Sequence, residues 1–110
     1  MALVRDSVPV ILLREEKVDE FNAQTSGKPV DLENADLRGS DLRQAKLAKA
    51  NLRGAYLRSA DLRGVDLSDA DLFGASIHEA RISGCLFPMS LGAEEITMSV
   101  TLGTRLRTRV

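Results

Sequence analysis

The sequence predicts an all-β solenoid closed at both ends by short helices. Three observations predict it. A leucine recurs on every fifth residue from Leu32 to Leu72, and Ile77, Ile82 and Phe87 continue the series, giving twelve consecutive pentads. A small or β-branched residue stands two places before each one: Ala35, Ala45, Ala50, Ala55, Ala60, Ala70, Ala75 and Ala80, with Val30, Ser40, Val65 and Cys85 at the other four. The position two places after it favours residues that tolerate tight corners, such as Asn34, Gly39, Gly54, Ser59, Gly64, Asp69, Gly74 and Gly84.

A period of five excludes the simpler elements. An α-helix advances about 100° per residue, so five residues leave a drift of roughly 140° and no common face. A straight strand has a period of two, so an odd spacing sends alternate leucines to opposite sides. The series faces one interior only if the chain turns a corner in each pentad. Short extended segments joined by such corners wind into coils whose stacking buries a continuous core. The expected core is therefore Leu32, Leu37, Leu42, Leu47, Leu52, Leu57, Leu62, Leu67, Leu72, Ile77, Ile82 and Phe87. The alanines two places earlier share its face, small beside large.

The flanks read as caps for the open ends of such a stack. Upstream, Ser7 is placed to N-cap a short helix with Pro9 in its first turn, and Val10, Ile11, Leu12 and Leu13 supply its apolar side. A second helix is expected from about Lys17 to Thr25, with Val18, Phe21 and Ala23 inward, Gly27 ending it and Pro29 leading into the first pentad. Downstream, the run from Gly92 to Ile96 reads as a helix start with acids in its first turn, although Thr97, Ser99, Val100 and Thr101 also permit a strand. The basic ending, residues 104–110, suits a frayed tail or an edge pairing. The expected division is residues 1–29 as an N-terminal cap, 30–89 as the repeat region, and 90–110 as a C-terminal cap helix and tail.

The pentads Ala35-Asp36-Leu37, Ala50-Asn51-Leu52, Ala60-Asp61-Leu62 and Ala70-Asp71-Leu72 resemble the A-(D/N)-L-x-x motif of the pentapeptide-repeat family. The resemblance implies a right-handed quadrilateral β-helix with four pentads per coil, hence about three coils. Residues twenty apart would then stack, placing Arg38 over Arg58 and His78 on one face and Arg43 over Arg63 on the next. The resemblance also implies a non-catalytic role. Some members of the family act as acidic, dimeric rods that mimic duplex DNA and bind DNA gyrase. A DNA-mimicking modulator of gyrase is therefore an alternative reading, opposed by this chain's near-neutral charge and arginine-rich faces.

Composition narrows the function classes further. Lys+Arg 15 against Asp+Glu 16 gives a formal net charge of −1, so nothing pulls the whole chain toward nucleic acid or an anionic membrane. Direct nucleic-acid binding through the arginines is an alternative that the interleaved aspartates oppose. With Cys85 the only cysteine, no internal disulfide forms, which fits a reducing compartment. The longest apolar run, residues 8–13, is far short of the ~20 needed to span a membrane, and Glu15 and Glu16 follow where a signal peptide would be cleaved. A cytoplasmic setting follows. His78 is the only histidine, expected outward while Cys85 points inward, so neither a nucleophilic pair nor a metal site is expected, and no cofactor. The paired acids each have an arginine nearby and read as a salt-bridged surface.

These readings leave a binding scaffold, monomeric or weakly self-associating, with an unidentified protein partner. Its candidate interaction surface is Tyr56, Arg58, Phe73, Arg38, Arg43 and Arg63. The inside/outside assignment predicts that Leu57→Ala lowers the unfolding free energy by roughly 2–5 kcal/mol, while Arg58→Ala stays within about 0.5 kcal/mol. Denaturant titration checks this, and equal losses at the two positions would reject the assignment.

Overall fold

A computed structural model of the chain describes residues 3–26 and 28–109. Three short helices are its regular elements: α1 (Val8–Arg14), α2 (Val18–Thr25) and α3 (Ala93–Leu102). Between α2 and α3 the chain proceeds as a succession of tight turns. In most pentads the N–H of the residue three beyond the inward residue donates to that residue's carbonyl, as from Ala35 to Leu32, Ala60 to Leu57 and Ala80 to Ile77, at 3.0–3.1 Å. The third residue of most of these turns has a positive φ, and four of them are not glycine: Asn34, Gln44, Ser59 and Glu79.

The expectation of an all-β solenoid is corrected here. Among the described residues there is no β-strand and no sheet, only three short helices, so the right-handed quadrilateral β-helix implied by the resemblance is not found. Neighbouring passes of the chain meet instead through isolated parallel bridges, one residue at a time: Asp31 with Asn51, Asp36 with Tyr56, Asp41 with Asp61, Asn51 with Asp71, Tyr56 with Ser76, Asp61 with Arg81, and Asp66 with Leu86. The reason is local. Each pentad gives two residues to its turn, and only the residue before the leucine bridges a neighbour. No two consecutive residues share a ladder, so no strand accumulates.

The bridges join residues twenty apart, and backbone hydrogen bonds repeat at that interval. Leu37 donates to Tyr56 and Leu57 to Ser76, while Tyr56 donates back to Ala35 and Ser76 to Ala55, all at 2.9–3.1 Å. This return packs the leucines against one another. All nine from Leu32 to Leu72, with Ile77, are at most 1% exposed. Ile82 and Phe87 are only partly buried, packed against the edge of this core.

The two ends are closed by side chains and backbone from the flanks. Under the first pass, Val4 donates to the Asn34 carbonyl and accepts from the Asp36 N–H, both at 2.8 Å. Two corners further on, the Asn22 side chain of α2 does the work of a peptide group. Its Nδ2 donates to the Gln44 carbonyl and its Oδ1 accepts from the Lys46 N–H, both at 2.8 Å. Over the last pass, the Ile77 N–H donates to the buried Ser99 Oγ of α3 and the Glu79 N–H to the Val100 carbonyl. The tail is anchored at Leu106, 1% exposed, which accepts from Gly74 and donates to Ala75. The stretch left open to strand in the sequence reading is thus helical, and the basic segment is fixed at the edge.

Details of the caps differ from the sequence reading. Ser7 holds the N-cap position of α1 in extended conformation, but its side chain makes no capping bond. Four consecutive apolar residues span the whole circumference of a helix, so Val10, Leu12 and Leu13 turn inward and Ile11 faces solvent. Ala23 is likewise exposed. The helix stop expected at Gly27 lies outside the described residues; α2 ends at Thr25, with Ser26 in the left-handed region as its C-cap.

One carboxylate ties the N-terminal flank to the repeats. Asp36 is 1% exposed and receives three guanidinium groups: Arg38 Nε at 2.8 Å, Arg14 Nη1 at 2.8 Å and Arg5 Nε at 3.3 Å. Hydrogen bonds from Arg38 hold its pKa down at about 2 against the opposing effect of burial.

Two predictions follow from the closure. Asn22→Ala leaves the Lys46 N–H and the Gln44 carbonyl without their partner and lowers stability by about 1–2 kcal/mol, while Gln24→Ala on the exposed side of α2 changes little in the same thermal melts. Because Asp36 titrates lower folded than unfolded, the folded chain holds fewer protons, so its contribution is complete above about pH 5 and disappears as pH falls through 2. The gap in unfolding free energy between wild type and Asp36→Asn should shrink by about 2 kcal/mol over that range. A gap independent of pH would show that the carboxylate is not what the three arginines hold.

Candidate functional site

The stacking of positions twenty apart creates two different kinds of charged face. On the face carrying Asp41 and Asp61, both carboxylates are paired with arginines. Arg43 donates to both Asp41 oxygens at 2.9 and 2.8 Å and also approaches Asp61 at 3.4 Å, while Arg63 donates to both Asp61 oxygens at 2.9 and 2.7 Å. The Arg63 hydrogen bonds draw the Asp61 carboxyl down to about 2. The Arg43 bonds lower Asp41 and raise Arg43 in turn. Arg43 and Arg63 stand apart from the other predicted surface residues.

The remaining four come together on a different part of the surface. Tyr56 and Phe73 line one concavity of about 400 Å³ with Glu33, Arg53 and Arg105. Tyr56 and Arg105 also line a second one, of about 250 Å³, with Arg38, Arg58, Ser76 and Gly103. The shared residues make the two continuous. Both aromatic rings carry a guanidinium: Arg53 lies 4.8 Å from the Phe73 centroid and Arg105 lies 5.1 Å from that of Tyr56. Phe73 is 44% exposed, a large apolar group in water with only this cation over it. Arg53 is steadied by Asp71 at 3.0 Å and Arg58 by Glu79 at 3.3 Å.

Arg105 was not among the predicted surface residues. It reaches the groove because Leu106 is pinned to the last pass and because α3 ends where it does. Gly103 closes α3 in the left-handed region (φ 75) and leaves no room for more: a Cβ there would sit 3.2 Å from His78 Cγ. Arg105 Nη1 then donates to the Gly74 carbonyl at 2.7 Å. The only available sequence signal was the basic character of the tail.

Among the described residues no group of three or more His, Cys, Asp or Glu could hold a metal ion. Cys85 is half-buried, and burial pushes its thiol up to about 11, away from the reactive thiolate. His78 packs against Gly103 and lies 3.4 Å from Glu79. A third depression, about 370 Å³, is lined by Lys28, Lys46 and Lys49 with Asp66, and has no aromatic group. Among the described residues no helix is long and apolar enough to cross a membrane.

Comparison with known proteins agrees with the repeat pattern. A family model described as pentapeptide repeats matches residues 30–64 and 50–87, in 8 copies, and so covers more than half of the chain. Neither the curated proteins nor the solved structures gave a match. With its inward residue every fifth position, its turn in each pentad and this match across the repeats, the chain belongs to the pentapeptide-repeat family.

Proposed function

We propose that this protein is a protein-interaction module that docks its partner through the Tyr56–Phe73 groove. Its family makes it a repeat scaffold of a generally non-catalytic kind. The observation that carries the finer reading is the juxtaposition of two aromatic rings and four arginines, Arg38, Arg53, Arg58 and Arg105, on one concave surface. Aromatic and arginine side chains dominate the residues that carry binding energy in protein interfaces. The Arg43–Arg63 face supplies a contrast, since neither arginine lines that surface. A reducing cytoplasm suits the single cysteine of the chain. A DNA-mimicking rod is disfavoured by a body only 34 Å long whose last pass is covered by α3 and Leu106.

The test is quantitative recovery of bound proteins from native cytosol. Phe73→Ala/Arg58→Ala should reduce recovery of the specific partner roughly tenfold or more, while Arg43→Ala/Arg63→Ala leaves it unchanged. Equal recovery with wild type and the first variant would overturn the reading.

A further inference from the structure

The two halves of the groove differ in chemistry, and the difference names the partner segment. The half bounded by Arg38, Arg58, Arg105 and Ser76 has no carboxylate in its lining. Arg38 and Arg58 are tethered by Asp36 and Glu79, which do not line it, so both guanidinium groups are held in place with N–H groups to spare. Among the described residues Arg105 has no acidic partner; its fixed contacts are the Gly74 carbonyl and the Tyr56 ring. The other half is apolar at Phe73 and Tyr56 and carries an acid, Glu33, at its margin.

We propose that the groove binds an extended acidic peptide of a partner protein, its carboxylates on Arg38, Arg58 and Arg105 and an adjacent apolar side chain against Phe73 and Tyr56. The proposal rests on the protein-interaction reading above and specifies the chemistry of the partner. Guanidinium groups present a planar fork that matches a carboxylate with two parallel hydrogen bonds. Three of them around one depression, uncompensated within it, favour an anion over a neutral segment. A nucleic-acid strand fits less well. Its phosphates continue along its length, and one that begins on Arg58 and Arg105 is carried toward Glu33 and Asp71. A peptide changes from acidic to apolar within a residue or two and meets both halves on their own terms.

The experiment uses the full 110-residue chain, labelled with ¹⁵N, and three probes: a capped peptide of alternating Glu and Phe, its counterpart with Gln in place of Glu, and a single-stranded DNA oligonucleotide. The acidic peptide should shift the amide resonances of Ser76 and Gly103 and bind at least tenfold more tightly than the Gln peptide. Arg105→Gln and, separately, Arg58→Gln should each weaken it about fivefold or more, with melting temperatures near wild type for Arg58→Gln. Using two variants guards against a loss that comes only from loosening the tail. Equal affinity for the Glu and Gln peptides, shifts confined to other residues, or tighter binding of the oligonucleotide would each overturn the proposal. If those results appear while Phe73→Ala/Arg58→Ala still loses its cytosolic partner, the docking surface stands and only the acidic character of the partner is wrong.

Discussion

At each corner of the repeat region one inward side chain and one turn are made by the same few atoms. The carbonyl of Leu32, Leu57 or Ile77 takes the N–H three residues on, and the side chain of that same residue goes into the core. Neither half is stable alone. A lone tight turn is weak in water, and a lone leucine has nothing to pack on. Because the turn fixes the direction of the next segment, four turns bring the chain back over itself, and the leucine of one pass lands on that of the pass below. The hydrophobic effect then acts on a column of side chains, and the backbone bonds between passes form in the dry space beside it. Several corner residues accept a left-handed backbone to keep this geometry, including Gln44 and Glu79, which have side chains that disfavour it.

A column built this way leaves backbone groups unpaired at its two ends, and most of the non-repeating sequence deals with that problem. The solutions are varied. Val4 supplies a peptide group, Asn22 supplies a side-chain amide, Ser99 a hydroxyl, and Leu106 both an N–H and a carbonyl. The groove is a by-product of the last of these. The segment that seals the top edge carries Arg105 down beside Tyr56, so the candidate site exists where a cap overlaps a face of the repeats.

The interior was legible from the five-residue beat, because inward direction and turn position depend only on local spacing; Leu57 and its neighbours need no knowledge of the rest of the chain. The strand label was not legible. It depends on how many consecutive residues pair, and one bridging residue per pentad falls below that. The family resemblance was read from the same pentads that the family model matches. The caps were only partly readable. Helix positions followed from Pro9, Gly92 and the acids after it, but a cluster such as residues 10–13 does not declare which members face in, and Ile11 faces out. Asn22 carried no signal and Arg105 only the basic character of the tail, since their roles rest on contacts with residues 22 to 49 places away along the chain. For the site, sequence named Tyr56 and Phe73 as surface residues without saying that they share a groove, and it grouped Arg43 and Arg63 with residues they do not meet.

The twenty-residue return has a bearing on how such a chain tolerates changes in length. Loss or gain of one pentad preserves every inward side chain yet rotates all that follows by one face, so α3 would settle over the wrong side and Arg105 would no longer find Tyr56. Only a change of four pentads at once restores both interior and exterior alignment. Length variation in this molecule is therefore quantised at two scales, a short one to which the core is indifferent and a long one enforced by the surface.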